Sequence, residues 1–395
     1  MLMNQPRAQA LMARDNLAAL VATAPENVTY TSGFWAMSQW IRRGPQAYAV
    51  HPAPGFGEPC IITTTGALDL VADQDPTVAA VQRYGFFVLE VDAAAGLDPV
   101  QERLRGLLAQ EDGGDPVAAL VKVLQARGLD GARVGIDEYG IPPAYLAKVR
   151  EALPRTTFVP AWEVFRQIRA IKTPEEVARL RGSAQIAEKS IAAALAVARP
   201  GASELDLAAA FHTTTIREGA SPVLGCIGTG PRSALPNAQP TDRRLVAGDV
   251  IRFDVGGRYR HYRADIARIA TLGEPAAKVK RYHHAIRAGM LRAIEAMKPG
   301  ARCADIFTLA VDTVRKEGLS HYRRNHVGHG IGLDGYDPPN LTPSSTETLE
   351  EGMVLCVETP YYELGFAGLQ VEDTVLVGKD GPVSLMATSS ELRVL

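Results

Sequence analysis

The chain is expected to fold as two domains: an α/β N-terminal domain over residues 1–165, and an α+β catalytic domain over 166–395 with two pseudo-symmetric halves. Three observations carry this. A length of 395 residues exceeds one ordinary hydrophobic core. The first part of the chain alternates strand-like and helix-like runs. The second part repeats itself. Residues 200–221, P-G-A-S-E-L-D-L-A-A-A-F-H-T-T-T-I-R-E-G-A-S, match residues 299–320 at a constant offset of 99, with eight of 22 positions identical.

In chain order, Leu17–Thr23, Ala47–His51, Cys60–Thr65 and Phe87–Val91 are apolar, β-branched or aromatic runs punctuated by Pro and Gly, and read as strands. Residues 97–127 predict two helices broken at Asp112-Gly-Gly, with Gly128 as the stop. Arg133–Asp137 reads as a strand, Pro142–Leu153 as a helix and Thr157–Pro160 as a strand. No G-x-G-x-x-G opens a helix, and no phosphate-binding loop is present. Trp35, Trp40, Arg42 and Arg43 form an aromatic and basic cluster. It is either a half-buried surface loop or one wall of a substrate pocket.

Thr173-Pro-Glu-Glu176 signals a helix start: Thr173 can cap, Pro174 suits the first helical position, and Glu176 can reach back. A long Ala-rich helix is expected to about Ala198. Each copy of the repeat then predicts a helix with a Pro-Gly entry and a Glu-Gly exit. The following strands continue the duplication. A-G-D-V-I-R-F-D-V-G aligns with E-G-M-V-L-C-V-E-T-P at an offset of 104, which sets Asp254 opposite Glu358. In each half a second strand returns with a further carboxylate, Asp265 or Glu372, 11 and 14 residues on. Packing the halves face to face would bring four carboxylates together.

Composition excludes several functions. The chain is 46% hydrophobic and 22% charged, as a globular protein is, with a net charge of −2. Without a long basic run, neither nucleic acid nor an anionic membrane is an expected partner. Apolar stretches fall short of the ~20 residues of a membrane span, and the N-terminus lacks a signal-peptide pattern, so a cytoplasmic protein is expected. Cys60, Cys226, Cys303 and Cys356 are far apart and read as reduced, packed thiols.

Four converging carboxylates repel, and like charges at short range drive protonation. A pair of divalent ions supplies the missing positive charge. Oxygen ligands with one imidazole, His329 in G-H-G-I-G-L, favour Mn, Fe, Co or Zn over a thiolate site, with manganese as the first expectation. Two such ions ~3.5–4 Å apart can share a water, lower its pKa, and polarise a carbonyl.

These residues resemble the methionine aminopeptidase/prolidase/creatinase superfamily, with its pita-bread fold. The likeness runs along essentially the whole chain. The N-terminal domain with the linker I-K-T-P-E-E-V-A-R-L-R resembles the prolidase, aminopeptidase P and creatinase branch. The catalytic half matches through G-D-V-I-R-F-D-V-G, R-A-D-I-A-R, G-H-G-I-G-L, V-E-T-P and V-E-D. The resemblance implies a dinuclear centre on Asp254, Asp265, His329, Glu358 and Glu372. Asp265 and Glu372 would bridge, Asp254 would be bidentate on one ion, and His329 and Glu358 would bind the other. It also implies hydrolysis of a C–N bond in an Xaa-Pro-like dipeptide or small amide by metal-bound hydroxide, a homodimer, and Glu358 as a proton relay.

The chain departs from this pattern where relatives bind substrate. Asn237 and Tyr336-Asp337 stand where prolidase-like members carry histidine and His-Glu or His-Asp. Gln370 stands where aminopeptidase P-like members often carry Arg. Asn cannot titrate, and Tyr336 can donate to an oxyanion but is a poor base. The expected roles are therefore Glu358, Tyr336 and Asn237 in catalysis, and His326, Asp337 and Gln370 at the substrate. A non-peptidase hydrolase or lyase on the same metal centre stands as the alternative, followed by a binding module without activity.

Overall fold

A computed structural model describes residues 2–41, 44–92 and 96–395. The chain divides into two compact units, Met1–Arg169 and Ala170–Leu395. The division falls after Arg169 rather than 165 because the helix Trp162–Ala170 is tied into the first unit. Arg7 Nε donates to the Gln167 carbonyl at 2.7 Å, and Arg169 donates to the Asn27 side chain.

The first unit is built on six strands: β1 Ala19–Ala22, β2 Tyr48–Pro52, β3 Cys60–Thr64, β4 Ala80–Tyr84, β5 Arg133–Ile136 and β6 Thr157–Pro160. They are ordered β4-β3-β2-β1-β5-β6. Asp98 and Asp115 cap the helices Pro99–Leu108 and Pro116–Ala126, and the predicted break lies between them. Leu120, Val123 and Leu124 of the second helix pack on Val21, Val50, Ile62 and Val134 of the sheet.

One strand expectation is corrected. Phe87–Val91 is not a strand but an exposed segment, with Phe86 at 90% exposure. The strand is β4, which pairs in parallel with β3 and stops at Gly85, whose φ of +76° turns the chain. Aromatic composition alone suggested β structure there. Trp35 and Trp40 are half-buried, with Trp40 Nε1 donating to Thr29 Oγ1. Arg42 and Arg43 lie outside the described residues.

The second unit opens on the capping box. Thr173 N donates to Glu176 Oε2 at 2.7 Å and Glu176 N to Thr173 Oγ1 at 3.3 Å, starting the helix Pro174–Val197. The helix Glu204–Arg217 leads to β7 Ser221–Thr229, β8 Val250–Tyr259, β9 Tyr262–Arg263 and β10 Ile266–Thr271. The pattern then recurs. The helices Ala277–Glu295 and Cys303–Lys316 lead to β11 Gly328–Gly330, β12 Asp337–Asn340, β13 Val354–Glu358, the hairpin of β14 Tyr361–Glu363 and β15 Ala367–Leu369, and β16 Glu372–Gly378.

The main path of the sheet runs β12-β11-β13-β16-β10-β8-β7. Its halves are related across the β16–β10 seam, with β10, β8 and β7 answering β16, β13 and β11. They lie side by side in one sheet rather than face to face, because β10 and β16 pair and so remove two open edges. Side chains alternate across the pleat. Phe253 and Val255 pack with Ile191 and Phe211, and Leu355 and Val357 pack with Ile286 and Val311, all toward the helices. Asp254 and Cys356, which lie between them, and Glu358, which follows Val357, face the other way. All four cysteines are free and buried.

Candidate metal centre

The sheet register alone assembles the site. Asp254 on β8 pairs with Ala267 on β10, Ala267 pairs with Glu372 on β16, and Glu372 pairs with Glu358 on β13. One row across four strands thus carries three carboxylates on one face. Asp265 is two residues before Ala267, so it shares that face. His329 on β11 pairs with Cys356, two residues before Glu358, and joins the same face. The glycines beside His329 permit the close packing. A Cβ on Gly328 would lie 2.4 Å from the Cys356 carbonyl, and one on Gly330 would lie 2.5 Å from the Pro338 carbonyl.

Ligand atoms of Asp265, His329 and Glu372 all lie within 4.8 Å of one another. His329 Nε2 is 3.9 Å from Asp265 Oδ2, too far for a hydrogen bond and suitable for a shared cation. Its Nδ1 is 3.1 Å from the Gly330 carbonyl, so the proton belongs there and the Nε2 lone pair faces the carboxylates.

Electrostatics make the same point. Burial, and then the neighbouring carboxylates, raise Asp265 and Glu372 well above the usual range. Burial also raises Asp254, to about 6, against the pull of Arg252. Glu358 goes the other way. Burial pushes it up, but His326 and Arg324 hold it below the usual range. His326 Nε2 lies 2.6 Å from Glu358 Oε1, and Arg324 Nη2 lies 3.5 Å from it. Asp265 Oδ1 and Glu372 Oε1 are buried without a hydrogen-bond partner among the described residues. Orphaned carboxylate oxygens are costly in a protein interior and fit a bound divalent cation.

The other expected site residues divide. Tyr336 stacks on His329 with ring centroids 4.0 Å apart, while more than half of it stays exposed. It lines a cleft of about 320 Å³ with Val223, Leu224, Ile331 and Asp265. Asn237 is exposed on the loop after β7. Gln370, expected at the substrate, is buried instead, and its amide bonds Glu358 and Glu372.

Asp337, also expected at the substrate, is fully buried, with Oδ2 3.1 Å from Lys172 Nζ, itself 1% exposed, so its carboxylate is engaged in an interior ion pair. A Cβ on Gly332 would lie 2.6 Å from that oxygen. Sequence reasoning missed Arg252, Arg324 and Lys172. Arg252 carried a usable signal, a charge set directly between two apolar residues, Ile251 and Phe253, of β8.

The fold and the carboxylate cage define a class: a divalent-metal hydrolase of the pita-bread type. The chain belongs to metallopeptidase family M24, whose model matches residues 178–379, and a Creatinase/Prolidase N-terminal domain matches residues 5–171. It is accordingly a metal-dependent peptide-bond hydrolase of the prolidase and aminopeptidase P branch. The chain is 29% identical over 289 residues to an Xaa-Pro dipeptidase of Pyrococcus horikoshii, covering 72% of this chain and 82% of that protein. It is 32% identical over 232 residues to an Xaa-Pro dipeptidase of Pyrococcus furiosus, covering 58% and 67%. Among solved structures, the dipeptidase PepE of Mycobacterium ulcerans superposes with a TM-score of 0.77 at 26% identity, covering 98% of this chain and 96% of that one. The Xaa-Pro dipeptidase of Bacillus anthracis reaches a TM-score of 0.80 at 23% identity over 99% and 98%, a likeness of fold. Among the described residues, no helix is long and apolar enough to cross a membrane.

Proposed function

We propose that the protein is an Xaa-Pro dipeptidase-like enzyme that uses two divalent ions, manganese first among them. Asp254, Asp265, His329, Glu358 and Glu372 would hold them. The observation that carries the metal reading is the pair of orphaned oxygens, Asp265 Oδ1 and Glu372 Oε1, inside a buried carboxylate cluster. The Xaa-Pro reading is supported by the two Pyrococcus relatives.

When bound, the ions supply Lewis acidity and an activated water. The protein's own groups do the rest. Glu358 accepts and relays the proton, and His326, 2.6 Å away, is placed to pass it on. The Tyr336 hydroxyl, its pKa pushed up to about 12 first by burial and then by the carboxylates, stays protonated at neutral pH. It can therefore donate to a developing oxyanion at the cleft mouth. Asn237 supplies a second, non-titrating donor from its loop. The apolar wall of Val223, Leu224 and Ile331 suits a hydrophobic substrate side chain. A cytoplasmic location and a homodimer belong to the same reading through the family resemblance, and light scattering on the purified protein tests the dimer.

The deciding experiment is a metal-reconstituted assay of Xaa-Pro dipeptides, longer Xaa-Pro peptides and non-peptide amides. Turnover led by dipeptides with C-terminal proline is the expected result. Turnover confined to non-peptide amides would overturn the assignment.

A further inference from the structure

We propose that Arg252 is a positioning residue that locks the metal ligands and the Asn237 loop into one register, acting through Gln370. This rests on the ligand set proposed above. Arg252 is fully buried, and each donor nitrogen of its guanidinium is engaged. Nε donates to the Ser233 carbonyl at 2.9 Å. Nη2 donates to the carbonyls of Leu235 and Pro236, both at 2.7 Å. Nη1 donates to Gln370 Oε1 at 2.9 Å and to Asp254 Oδ2 at 3.3 Å. One cation therefore ties the backbone just before Asn237 to a metal ligand two residues along its own strand.

Gln370 extends the link. Its Oε1 accepts from Arg252 and from the Tyr362 hydroxyl at 3.0 Å, and the Tyr362 ring centroid lies 5.3 Å from the guanidinium carbon. With the oxygen end taken by two donors, the amide nitrogen must face the other way. It does, lying 3.2 Å from Glu358 Oε2 and 3.4 Å from Glu372 Oε2. An amide suits position 370 because it accepts from a cation at one end and donates to two carboxylates at the other. A Glu there would add a fifth carboxylate to the cluster. An Arg there would confront Arg252 with a second buried guanidinium. Arg252 thus reaches three of the five ligands, Asp254 directly and Glu358 and Glu372 through the amide. Its charge also offsets their repulsion. The two residue types are chosen together, so the pair should show strong non-additivity.

The test titrates metal-stripped protein with Co2+, following visible absorption, and measures kcat and KM on an Xaa-Pro dipeptide. Wild type, Arg252→Met, Gln370→Leu, Gln370→Arg and the double variant Arg252→Met/Gln370→Arg are compared. Arg252→Met and Gln370→Leu should each weaken Co2+ binding about 10–100-fold, the usual range for a group that orients ligands. Each should alter the absorption bands and lower kcat more than it raises KM. Gln370→Leu keeps the contacts of Arg252 to its loop, so it reads the link even if Arg252→Met fails to fold. Gln370→Arg alone should be impaired, and the double variant should recover both affinity and bands relative to either parent. Unchanged Co2+ affinity and bands in Gln370→Leu, or simply additive losses in the double variant, would overturn this proposal alone. Wild type that binds no Co2+ would overturn it together with the ligand set.

Discussion

Glu358 and Glu372 are register partners on adjacent antiparallel strands, with Gln370 Nε2 within 3.4 Å of both carboxylates. Directly opposed like charges destabilise a sheet, and here they are also buried. Two residues from this row and on the same face, Asp265 adds to the repulsion. The cluster is an arrangement that a cation stabilises and its absence does not.

Removing one of these charges should therefore have opposite effects with and without metal. Asp265→Asn or Glu372→Gln should lower divalent-ion affinity by more than about 100-fold, since changes in merely orienting groups already cost 10–100-fold. Activity should fall with it. The metal-stripped variants should nevertheless melt above metal-stripped wild type, because a repelling charge is gone. Calorimetry with and without Mn2+ checks both halves. A stripped Asp265→Asn protein melting well below stripped wild type would contradict the repulsion argument.

Lys172 and Asp337 form an interior ion pair, and that predicts a stability role rather than a substrate role. Lys172→Met removes the ammonium beside a fully buried carboxylate and should cost about 3–5 kcal/mol. Asp337→Asn should lower the melting temperature and leave KM unchanged. A several-fold rise in KM with an unaltered melting temperature would return Asp337 to the substrate site.

Glu176 gives the expected pH dependence. Its pKa is raised to about 7, first by burial, with Lys172, the Thr173 backbone and the Tyr262 hydroxyl opposing. The folded state therefore holds this proton more tightly than the unfolded chain, whose carboxyl titrates near the ordinary ~4.3. The stabilisation is fully present below that ordinary value and is lost as pH rises toward 7. Wild type should lose stability to urea between about pH 5 and 7, and Glu176→Gln should flatten that part of the profile. Identical profiles for the two proteins would refute this.

His326 sits against Glu358 without belonging to the proposed ligand set. His326→Ala should retain both ions by metal analysis while kcat falls about 100-fold, in the range of one proton-transfer group, with a smaller change in KM. Loss of metal in this variant would make His326 a ligand-positioning group instead of a relay.

Much of this was legible in the sequence, for a physical reason. The duplicated helices and strands, the opposition of Asp254 and Glu358, and the returning carboxylates Asp265 and Glu372 are local patterns. Strand pairing turns them directly into a row. The capping box at Thr173 and Glu176 is likewise written within four residues. What could not be read were partners distant in sequence. Nothing local to Asp337 announces Lys172, 165 residues away, and nothing at Gln370 announces Arg252, 118 residues away. The expectation of a substrate contact at Gln370 came from the Arg that aminopeptidase P-like members often carry there; only the packing shows its oxygen taken by Arg252 and Tyr362. The face-to-face arrangement of the halves failed because sequence symmetry fixes equivalence, not the edge along which equivalent parts meet. Phe87–Val91 failed because apolar and aromatic residues are also found exposed.

The most direct test of the central claim is anomalous diffraction from crystals grown with Mn2+. Two peaks should appear among Asp254, Asp265, His329, Glu358 and Glu372, with Asp265 and Glu372 contacting both. No anomalous peak among these five side chains, with manganese bound elsewhere or not at all, would contradict it.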